Sequence, residues 1–476
     1  MTSRKSIVDA FLKKIGDGGY HEVDIRFTDV KGFWRHVTVP ASSVGTRLFS
    51  HGIGFDGSTL DVMTPTEAGD LVLVPDPRRA FEDPFSEKPT MALIADIMHP
   101  GTSKPFSRDP RGVAKKARDH MRNMSPADES YWAPEFEFYL FDGANFWNRP
   151  GSLGYDLRSI ESGHPHRKGG RHGLTHPPDS AYHSIHPSDS LHDVRSEIVY
   201  HLQSAGVRVK YHHHEVGRSG QVEVEVDFAP FLSSADNVML TKHIVKNVAL
   251  RYGLASTFMP KPLDNEPGSG MHFHMYLAKG KDGLFHDEEG YCSLSGTARS
   301  AIAGILHHAP ALCAFTNSTT NSYRRLVLNQ EAPVYRFFSG PNRTAAIRIP
   351  SYARTAENIR IEYRVPDGAS NPYLSMASIL MAAIDGIGNE MNPEKMGFGP
   401  IDQNVYASGY KASDLKTLPR TLDDALDALD ADRSFLEEGD VFMPDLIDEY
   451  IHAKREEADR FRGCPHPLEH SLYFGL

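Results

Sequence analysis

Cysteine is scarce in this chain, and hydrophobic runs long enough to cross a membrane are missing. Only three of the 476 residues are cysteine, namely Cys292, Cys313 and Cys464. They are far apart and have no histidine or second cysteine at metal-ligand spacing, so we predict packing residues in a reducing compartment. No apolar run approaches the roughly 20 residues that span a bilayer. We therefore expect a cytoplasmic protein with no membrane partner.

Positive charge is also in short supply, with 51 Lys and Arg against 62 Asp and Glu. The charges are interspersed, so nothing indicates a nucleic-acid partner. The basic opening residues form an amphipathic pattern without the apolar stretch of a signal peptide. The patterns GxxxxGK[ST] and GxGxxG with a following acid are absent too, which argues against P-loop and Rossmann nucleotide sites. The apolar fraction of 40% is ample for large cores.

Four segments alternate charged with apolar residues at strand spacing. The central one, YHHHEVGRSGQVEVEVDF at 211–228, contains Glu215, Glu223 and Glu225. The other three are PEFEFYLF with Glu135 and Glu137, GSGMHFHMYL with His272 and His274, and IRIEYRVPD with Arg360, Glu362 and Arg364. One such strand is typical of a sheet with a solvated face. Four strands rich in Glu, His and Arg predict the wall of a charged cavity, and its mutually repelling carboxylates predict divalent cations.

Arginine is concentrated in one segment, residues 321–350. Its members are Arg324, Arg325, Arg336, Arg343 and Arg348. Guanidinium groups bind phosphate and carboxylate in a bidentate manner, so this segment indicates a polyanion held near the divalent metals. That combination predicts phosphoryl transfer.

The element pattern predicts two domains, 1–105 and 106–476. The first reads as a helix followed by strands at 23–30, 33–40, 70–76 and 90–98, with Asp56 in a glycine-rich turn. A linker at 99–111 leads to a helix at 112–124. The later helices are predicted at 193–205, 236–252, 371–387, 421–430 and 444–461, with two more over 295–315.

Residues 148–190 are poor in hydrophobic side chains and predict a long loop. Its irregularly spaced histidines do not favour a metal site. They are His164, His166, His172, His176, His183 and His186.

Together these motifs resemble one family, the type I (bacterial-type) glutamine synthetases, over the whole chain. The matching pieces include GFDGST, PEFEFYLF, HHEVGRSGQVEVE, GSGMHFHM, NSYRRLV, AAIRIP and RIEYRVPD. The resemblance implies an α+β fold, with a small β-grasp amino-terminal domain and a large catalytic α/β domain built on a curved antiparallel sheet. It also implies a homo-oligomer, a dodecamer of two six-membered rings whose active sites lie between neighbouring subunits.

The resemblance further implies which residues bind the metal ions, glutamate and ATP. One Mg²⁺ or Mn²⁺ site maps onto Glu137, Glu215 and Glu223, and a second onto Glu135, His272 and Glu362. The matching substrate residues are Gly268, Arg325, Arg343 and Arg364 for glutamate and the transferring phosphate, and His274, Arg343 and Arg348 for ATP. Glu225 points the same way as the ligands but has no assigned role.

The implied reaction has two steps. The γ-carboxylate of glutamate attacks the γ-phosphate of ATP to give γ-glutamyl phosphate, and ammonia then displaces phosphate to give glutamine. Asp56 from the neighbouring subunit, Tyr182 and Glu331 match the ammonium pocket, where Asp56 takes the proton. Glu331 also matches a flap that excludes water.

Several positions depart from the family pattern. Val327-Leu328-Asn329-Gln330-Glu331 replaces the usual VPGFEAP flap, Pro267 replaces an asparagine, and Tyr276 and Glu357 alter the ATP pocket. Two alternatives therefore stay open, a γ-glutamyl ligase for methylamine or a polyamine and a non-enzymatic relative of the same fold. The sequence around Tyr406 lacks the adenylylation context NLYxLP, so we predict a solvated loop residue without that modification.

Overall fold

The computed structural model describes residues 3–102, 104–162, 175–177, 180–328, 332–407 and 412–475. The helices are α1 (Arg4–Asp17), α2 (Thr46–His51), α3 (Pro110–Met124), α4 (His192–Ser204), α5 (Phe231–Arg251), α6 (Gly296–Thr316), α7 (Ser322–Arg325), α8 (Pro372–Gly388), α9 (Leu422–Ala431), α10 (Ser434–Glu437), α11 (Pro444–Arg462) and α12 (Pro467–Tyr473). The strands of the amino-terminal sheet are β1 (Glu22–Thr28), β2 (Trp34–Pro40), β3 (Ile53–Asp56), β4 (Asp70–Asp83) and β5 (Thr90–Met98).

The remaining strands belong to the larger part of the chain. They are β6 (Glu129–Phe141), β7 (Gly143–Arg149), β8 (Ser152–Arg158), β9 (Val209–His214), β10 (Gln221–Val226), β11 (Ala229–Pro230), β12 (Ala255–Thr257), β13 (Phe273–Lys279), β14 (Asp282–Gly283), β15 (Phe338–Ser339), β16 (Ile347–Arg348) and β17 (Ile361–Tyr363). In the described parts of the chain, no helix combines the length and the hydrophobicity that a membrane crossing requires.

The amino-terminal sheet has the strand order β2-β1-β5-β4-β3, with β1 and β5 parallel. Helix α1 packs on it because Val8, Phe11 and Ile15 recur at helical spacing on one buried face. Ser3 caps this helix by accepting a hydrogen bond from the backbone of Ser6. The β-grasp domain predicted from the resemblance is confirmed.

The larger sheet runs in the order β15-β16-β17-β13-β6-β10-β9. Its pairs are antiparallel except β15 with β16. The alternation in β6 and β10 places Phe136, Phe138 and Val224 in the hydrophobic core, all at most 1% exposed. The charged residues between them face the other side of the sheet. The predicted alternation of charged and apolar faces is confirmed for these two strands.

Arg111, in the first turn of α3, joins the two sheets. It is 2% exposed and donates hydrogen bonds to Asp96 of β5, Asp76 of β4 and Asp236 of α5 at 2.6, 3.2 and 2.9 Å. Burial disfavours the charged guanidinium, but Asp236 and Asp96 outweigh it and raise the pKa of Arg111. This buried network fixes the amino-terminal sheet against the larger part of the chain.

Two predicted loop and helix assignments are wrong. Residues 143–158 form the hairpin β7–β8 around Pro150 and Gly151, whose strands are mostly exposed and therefore lack the hydrophobic signal of a buried strand. A single helix, α6, covers the region where two were predicted, with Pro310 inside it. Pro310 cannot donate to the carbonyl of Leu306, and Arg336 donates to that carbonyl instead at 3.4 Å.

The other predicted elements correspond to observed ones, with small differences at their ends. Helix α5 begins at Phe231, five residues before the predicted start, because Pro230 precedes its first turn. Cys313 is fully buried as predicted, whereas Cys464 is exposed, so the packing role predicted for Cys464 is wrong.

Candidate functional site

Four carboxylates face each other across the centre of the larger sheet. In the antiparallel pair β6–β10, Glu137 lies opposite Glu223 and Glu135 lies opposite Glu225. Glu135, Glu223 and Glu225 are 8%, 7% and 2% exposed. Register and alternation together therefore concentrate negative charge on one buried face.

The first carboxylate cluster consists of Glu135, His272 and Glu362, whose ligand atoms lie within 4.8 Å of one another. His272 Nδ1 is 2.9 Å from Glu135 Oε2, and His274 Nε2 is 2.6 Å from Glu135 Oε1. Burial alone would raise the pKa of Glu135, but His274 and His272 lower it well below the usual value. Glu135 is therefore ionised at neutral pH.

Glu362 is fixed by two arginines. Its Oε2 accepts from Arg348 Nε at 2.5 Å, and its Oε1 accepts from Arg364 Nη1 at 2.7 Å. Burial raises the pKa of Glu362, but the neighbouring positive charges, Arg364 first among them, outweigh burial and lower the pKa to about 2.

The second carboxylate cluster consists of Glu137, Glu215 and Glu223. Glu215 follows β9 directly, and its backbone N–H donates to Gln221 across the β9–β10 turn at 2.9 Å. Burial raises the pKa of Glu223 well above its usual value, and the charges of Glu135, Glu137 and Glu215 raise it further. Carboxylates that raise one another's pKa by mutual repulsion become ionised when a divalent cation is present. The donor set of both clusters, rich in carboxylate oxygens, fits such a cation.

Three of the arginines predicted for this site lie beside the clusters. Arg325 is 4% exposed, donates to the carbonyls of Val365 and Arg364 at 2.8 and 3.1 Å, and lies 3.4 Å from His272. Arg348 and Arg364 hold Glu362. A Cβ at Gly268 would lie 2.8 Å from Arg325 Cγ, so the absence of a side chain there lets Arg325 approach.

Two arginines of the 321–350 segment lie elsewhere. Arg324 lies over the ring of Phe461 at 5.2 Å, and Arg336 donates to the backbone of α6. The predicted concentration of positive charge is therefore smaller than the residue count indicates.

Tyr182 stands at the solvent side of the second cluster. It is 46% exposed, and its ring centroid lies 5.3 Å from that of His213. Burial and then the charge of Glu215 raise the pKa of Tyr182, while Arg343 opposes that rise. Glu215, Arg343 and Tyr182 are thus close enough to interact. Glu331, with Asn329 and Gln330, lies outside the described residues.

Asp56 lies apart from both clusters, at the end of β3. Its Oδ1 accepts from the backbone N–H and hydroxyl of Ser58 at 2.9 and 2.6 Å, which lowers its pKa. It faces a groove of about 640 Å³ lined also by Glu67, His99 and Lys104. Within the described ranges of the chain, no contact is seen between Asp56 and either carboxylate cluster.

The structure adds two residues that sequence reasoning did not assign to the site, His213 and Lys210, and gives Arg360, predicted only as part of the charged wall, a defined neighbour. His213 has a ligand atom within 4.8 Å of Glu215 and Glu223. Arg360 is 6% exposed, with its Nε 3.4 Å from His274 Nδ1, and Lys210 binds Glu225 at 2.7 Å. Lys210 and His213 lie on β9, which pairs with β10 in a register that no local pattern specifies.

The positions that depart from the family pattern have defined contacts. The Pro267 carbonyl accepts from Tyr139 at 2.7 Å, and Glu266 accepts from Arg218 and Ser219 at 3.2 and 2.8 Å. Tyr276 stacks on Tyr131 with ring centroids 5.2 Å apart.

Tyr406 is not the solvated residue that we predicted. Its ring packs 6.1 Å from that of Tyr335, and its hydroxyl is buried without a hydrogen-bond partner among the described residues. The apolar cluster around Phe337 and Val405 holds it there.

A curved antiparallel sheet that carries two adjacent carboxylate clusters and buried arginines, joined to a β-grasp domain, defines a metal-dependent phosphoryl-transfer enzyme. Models of the glutamine synthetase β-grasp domain and of the glutamine synthetase catalytic domain match residues 20–100 and 107–473. The chain therefore belongs to the glutamine synthetase family.

Individual relatives agree with this assignment. Glutamine synthetase of Frankia alni is 43% identical over 470 residues, covering 98% of both chains, and that of Salmonella typhimurium is 42% identical over 458 residues, covering 95% of this chain and 96% of the relative. The cryo-electron microscopy structure of Plasmodium falciparum glutamine synthetase superposes with a TM-score of 0.89 at 25% identity, covering 99% of each chain. A ligand-free GmaS structure superposes with a TM-score of 0.81 at 29% identity over the full length of both chains.

Proposed function

We propose that this glutamine synthetase ligates ammonia to L-glutamate at the two carboxylate clusters, using ATP and giving glutamine, ADP and phosphate. The observation that carries this proposal is the placement of Arg325, Arg348 and Arg364 beside buried carboxylates. Such a site holds negative groups on a substrate while carboxylate oxygens remain available to divalent cations. The division into domains 1–105 and 106–476 is part of the same proposal.

The two clusters would hold Mg²⁺ or Mn²⁺, since hard oxygen ligands favour these ions over Zn²⁺. Glu137, Glu215 and Glu223 form one site, and Glu135, His272 and Glu362 form the other. Bound there, divalent cations supply charge neutralisation to the phosphates of ATP. His274, Arg343 and Arg348 bind ATP, while Gly268, Arg325 and Arg364 bind glutamate.

In the first step, an oxygen of the glutamate γ-carboxylate attacks the γ-phosphorus of ATP, and ADP leaves with the electrons of the broken P–O bond. Arg343 and Arg364 stabilise the charge that develops on the phosphoryl oxygens. The product is γ-glutamyl phosphate, whose carbonyl carbon now carries a good leaving group.

In the second step, ammonium gives a proton to Asp56, and the nitrogen lone pair of ammonia attacks the carbonyl carbon as phosphate leaves. Asp56 is available as the acceptor because its carboxylate is exposed and therefore ionised at neutral pH. Tyr182 and Glu331 complete the ammonium pocket, and Glu331 excludes water from the acyl phosphate.

Asp56 would act in the site of the neighbouring subunit, within a dodecamer of two hexameric rings. The solvent-facing position of Asp56, far along the chain from every proposed metal ligand, supports this arrangement. The cytoplasmic location expected from the sequence remains part of the proposal.

A γ-glutamyl ligase for a larger amine is the second candidate. Pro267 favours it, because proline lacks the side-chain amide that the family pattern places at the glutamate entrance, while the neighbouring Glu266 is already paired with Arg218 at 3.2 Å. Phosphate release should be measured with ammonium, methylamine and putrescine in parallel. We expect kcat/KM for ammonium to exceed the other two by at least about tenfold. A higher value for methylamine or putrescine would establish the second candidate, and no release with any amine would contradict both.

A further inference from the structure

A third group of metal-ligand side chains lies outside the two carboxylate clusters. Glu161, His176 and His214 are 1%, 6% and 0% exposed, and one ligand atom from each lies within 4.8 Å of the other two. Glu161 and His176 belong to the connection between β8 and α4, and His214 ends β9. We call these three residues the β9 triad.

The hydrogen bonds of His214 leave one of its nitrogens facing a carboxylate. Its Nδ1 lies 2.7 Å from the backbone oxygen of Glu215, which can only accept, so Nδ1 carries the proton. Its Nε2 lies 2.7 Å from Glu161 Oε2. An imidazole lone pair and a carboxylate oxygen do not attract each other, so a proton or a metal cation must lie between them.

His176 distinguishes between these two possibilities. Among the described residues its buried Nε2 has no hydrogen-bond partner, and its ring centroid lies 4.9 Å from that of His214. Burial lowers the pKa of His176, which favours the neutral ring that a metal ion requires. A proton between His214 and Glu161 leaves His176 Nε2 unsatisfied, whereas a cation satisfies all three ligand atoms.

The charges around the β9 triad also favour a metal cation over a proton. The second oxygen of Glu161 accepts from the backbone and hydroxyl of Ser190, both at 2.8 Å. The neighbouring Arg195 is already neutralised by Asp189 at 3.0 and 2.6 Å. Among the residues that the structure describes, Glu161 has no lysine or arginine in an ion pair. A buried carboxylate without a fixed cation is costly, and a metal ion removes that cost.

We propose that Glu161, His176 and His214 bind one Zn²⁺ ion. Two imidazoles and one carboxylate are a zinc ligand set, distinct from the oxygen-rich clusters that suit Mg²⁺. Tetrahedral bonds of about 2.0–2.1 Å place ligand atoms roughly 3.3 Å apart, so Glu161 and His214 separate slightly when the ion replaces the proton between them. Binding releases that proton.

The ion would stabilise the local fold by holding two segments of the chain together. It joins the connection that contains Tyr182 to the end of β9, one residue before Glu215. The proposed site departs from the expectation of no metal site in 148–190, because its third ligand, His214, comes from β9 and not from that segment. His183 and His186 are exposed and lie outside the triad.

Cobalt spectroscopy on the full-length protein tests the site. Chelator-treated protein is titrated with Co²⁺ in millimolar Mg²⁺, which occupies the carboxylate clusters. We expect one Co²⁺ per chain with the intense visible absorption of four-coordinate cobalt, displaced by one equivalent of Zn²⁺. Loss of an outer-shell partner weakens metal binding about 10- to 100-fold, so loss of a ligand in His176→Gln should weaken it at least about 100-fold.

Three further variants test whether the cobalt absorption arises from the β9 triad and not from the carboxylate clusters or from a surface histidine. Glu161→Gln should weaken cobalt binding as His176→Gln does, and it serves if His176→Gln fails to fold. Glu362→Gln, in the first carboxylate cluster, and His452→Gln, at a side chain that is 71% exposed, should both retain the absorption. Wild-type protein without four-coordinate absorption, or loss of the absorption in Glu362→Gln but not in the triad variants, would overturn the proposal.

Discussion

Glu362 and Arg364, two residues apart in the chain, are joined by a hydrogen bond of 2.7 Å at the buried edge of the first carboxylate cluster. The other oxygen of Glu362 is held by Arg348 at 2.5 Å. The carboxylate thus has one defined orientation before any ligand binds. Such preorganisation matters most where charge develops in the reaction.

Replacement of Glu362 by alanine should therefore lower phosphoryl transfer far more than glutamate binding. We expect kcat for phosphate release to fall by at least about 100-fold, with a small change in the dissociation constant of glutamate. Stopped-flow phosphate release and calorimetric titration measure the two quantities.

Glu288→Ala, at an exposed position, is the matched control and should behave as wild type. Glu362→Gln keeps the volume of the side chain and separates lost charge from lost packing against the two arginines. Unchanged turnover of Glu362→Ala at saturating Mg²⁺ would contradict the proposed role.

Gly268→Ala should displace Arg325. The added Cβ would lie 2.8 Å from both Arg325 Cγ and the carbonyl oxygen of Pro260, and the backbone oxygen has little room to move. We expect kcat/KM for glutamate to fall roughly 10- to 100-fold while KM for ATP changes little. Gly296→Ala, where a Cβ meets nothing within 4 Å, is the control. Equal losses for glutamate and ATP would point to general distortion instead.

Mixed oligomers test whether Asp56 works in a neighbour's site. Asp56→Ala and Glu362→Ala chains should each be nearly inactive alone, and their co-assembled oligomers should recover about one quarter of wild-type glutamine formation. The reason is that each interface draws its two chains independently. Different affinity tags and tandem purification verify the mixed assemblies.

Mixing wild type with the Asp56→Ala/Glu362→Ala double variant supplies the complementary control. Sites shared between chains predict about one quarter of full activity at equal mixing, whereas sites within one chain predict about one half. No recovery in the first mixture together with one half in the second would place Asp56 in its own chain's site, whereas activity of Asp56→Ala alone would leave it a turn residue.

Tyr406 should not carry AMP. Its hydroxyl is buried, and burial raises its pKa, so the group is both shielded and a poor nucleophile. Intact-mass analysis of protein from nitrogen-replete cells should show the unmodified chain. A stoichiometric AMP adduct on Tyr406 would show that the surrounding segment opens.

A buried histidine away from the site should make stability depend on pH. His308 of α6 lies 2.9 Å from Asp385 of α8 and 2.8 Å from Asp432, and its ring stacks on Phe435 at 3.8 Å. Burial opposes protonation, but the two carboxylates outweigh it and raise the pKa of His308. The adjacent His307 has a lowered pKa, chiefly through burial, and adds no charge at neutral pH.

Because the folded pKa of His308 is raised, its contribution to stability is complete below the unfolded value of about 6.5 and is lost as pH rises through the folded pKa. The free energy of unfolding of wild type should exceed that of His308→Gln by about 1 kcal/mol at pH 6, a value reduced because Asp432 is partly exposed. This difference in stability should shrink toward pH 9. Denaturation followed by calorimetry across this range measures it. A difference that grows with pH would contradict the ion-pair explanation.

Periodicity predicted those parts of the site that lie on long strands. Alternation fixes which face Glu135, Glu137 and Glu223 occupy, and the sequence shows it directly. His213 depends on the register between β9 and β10, which no local pattern specifies. The pair Glu161–His214 joins a residue of the β8–α4 connection to the end of β9, 53 positions away, so only the folded chain brings it together.

Two other elements, the β7–β8 hairpin and helix α6, were also predicted incorrectly. The β7–β8 hairpin buries little hydrocarbon, so its strands lack the apolar signal that identifies a core strand. Two helices were predicted where α6 runs unbroken past Pro310, because Arg336 donates to the carbonyl that proline leaves free. A long-range partner, rather than local preference, decided this second case.

The buried hydrogen bonds of Arg111 to Asp76, Asp96 and Asp236 also bear on assembly. They tie the amino-terminal sheet, which also contains Asp56, to helices α3 and α5 of the larger part of the chain. In a closed ring, each chain must offer its two surfaces at one fixed angle, because an angular error would add up from subunit to subunit and prevent the last contact from forming. In the proposed ring, weakening the hydrogen bonds of Arg111 should therefore impair assembly while leaving the carboxylate clusters in place.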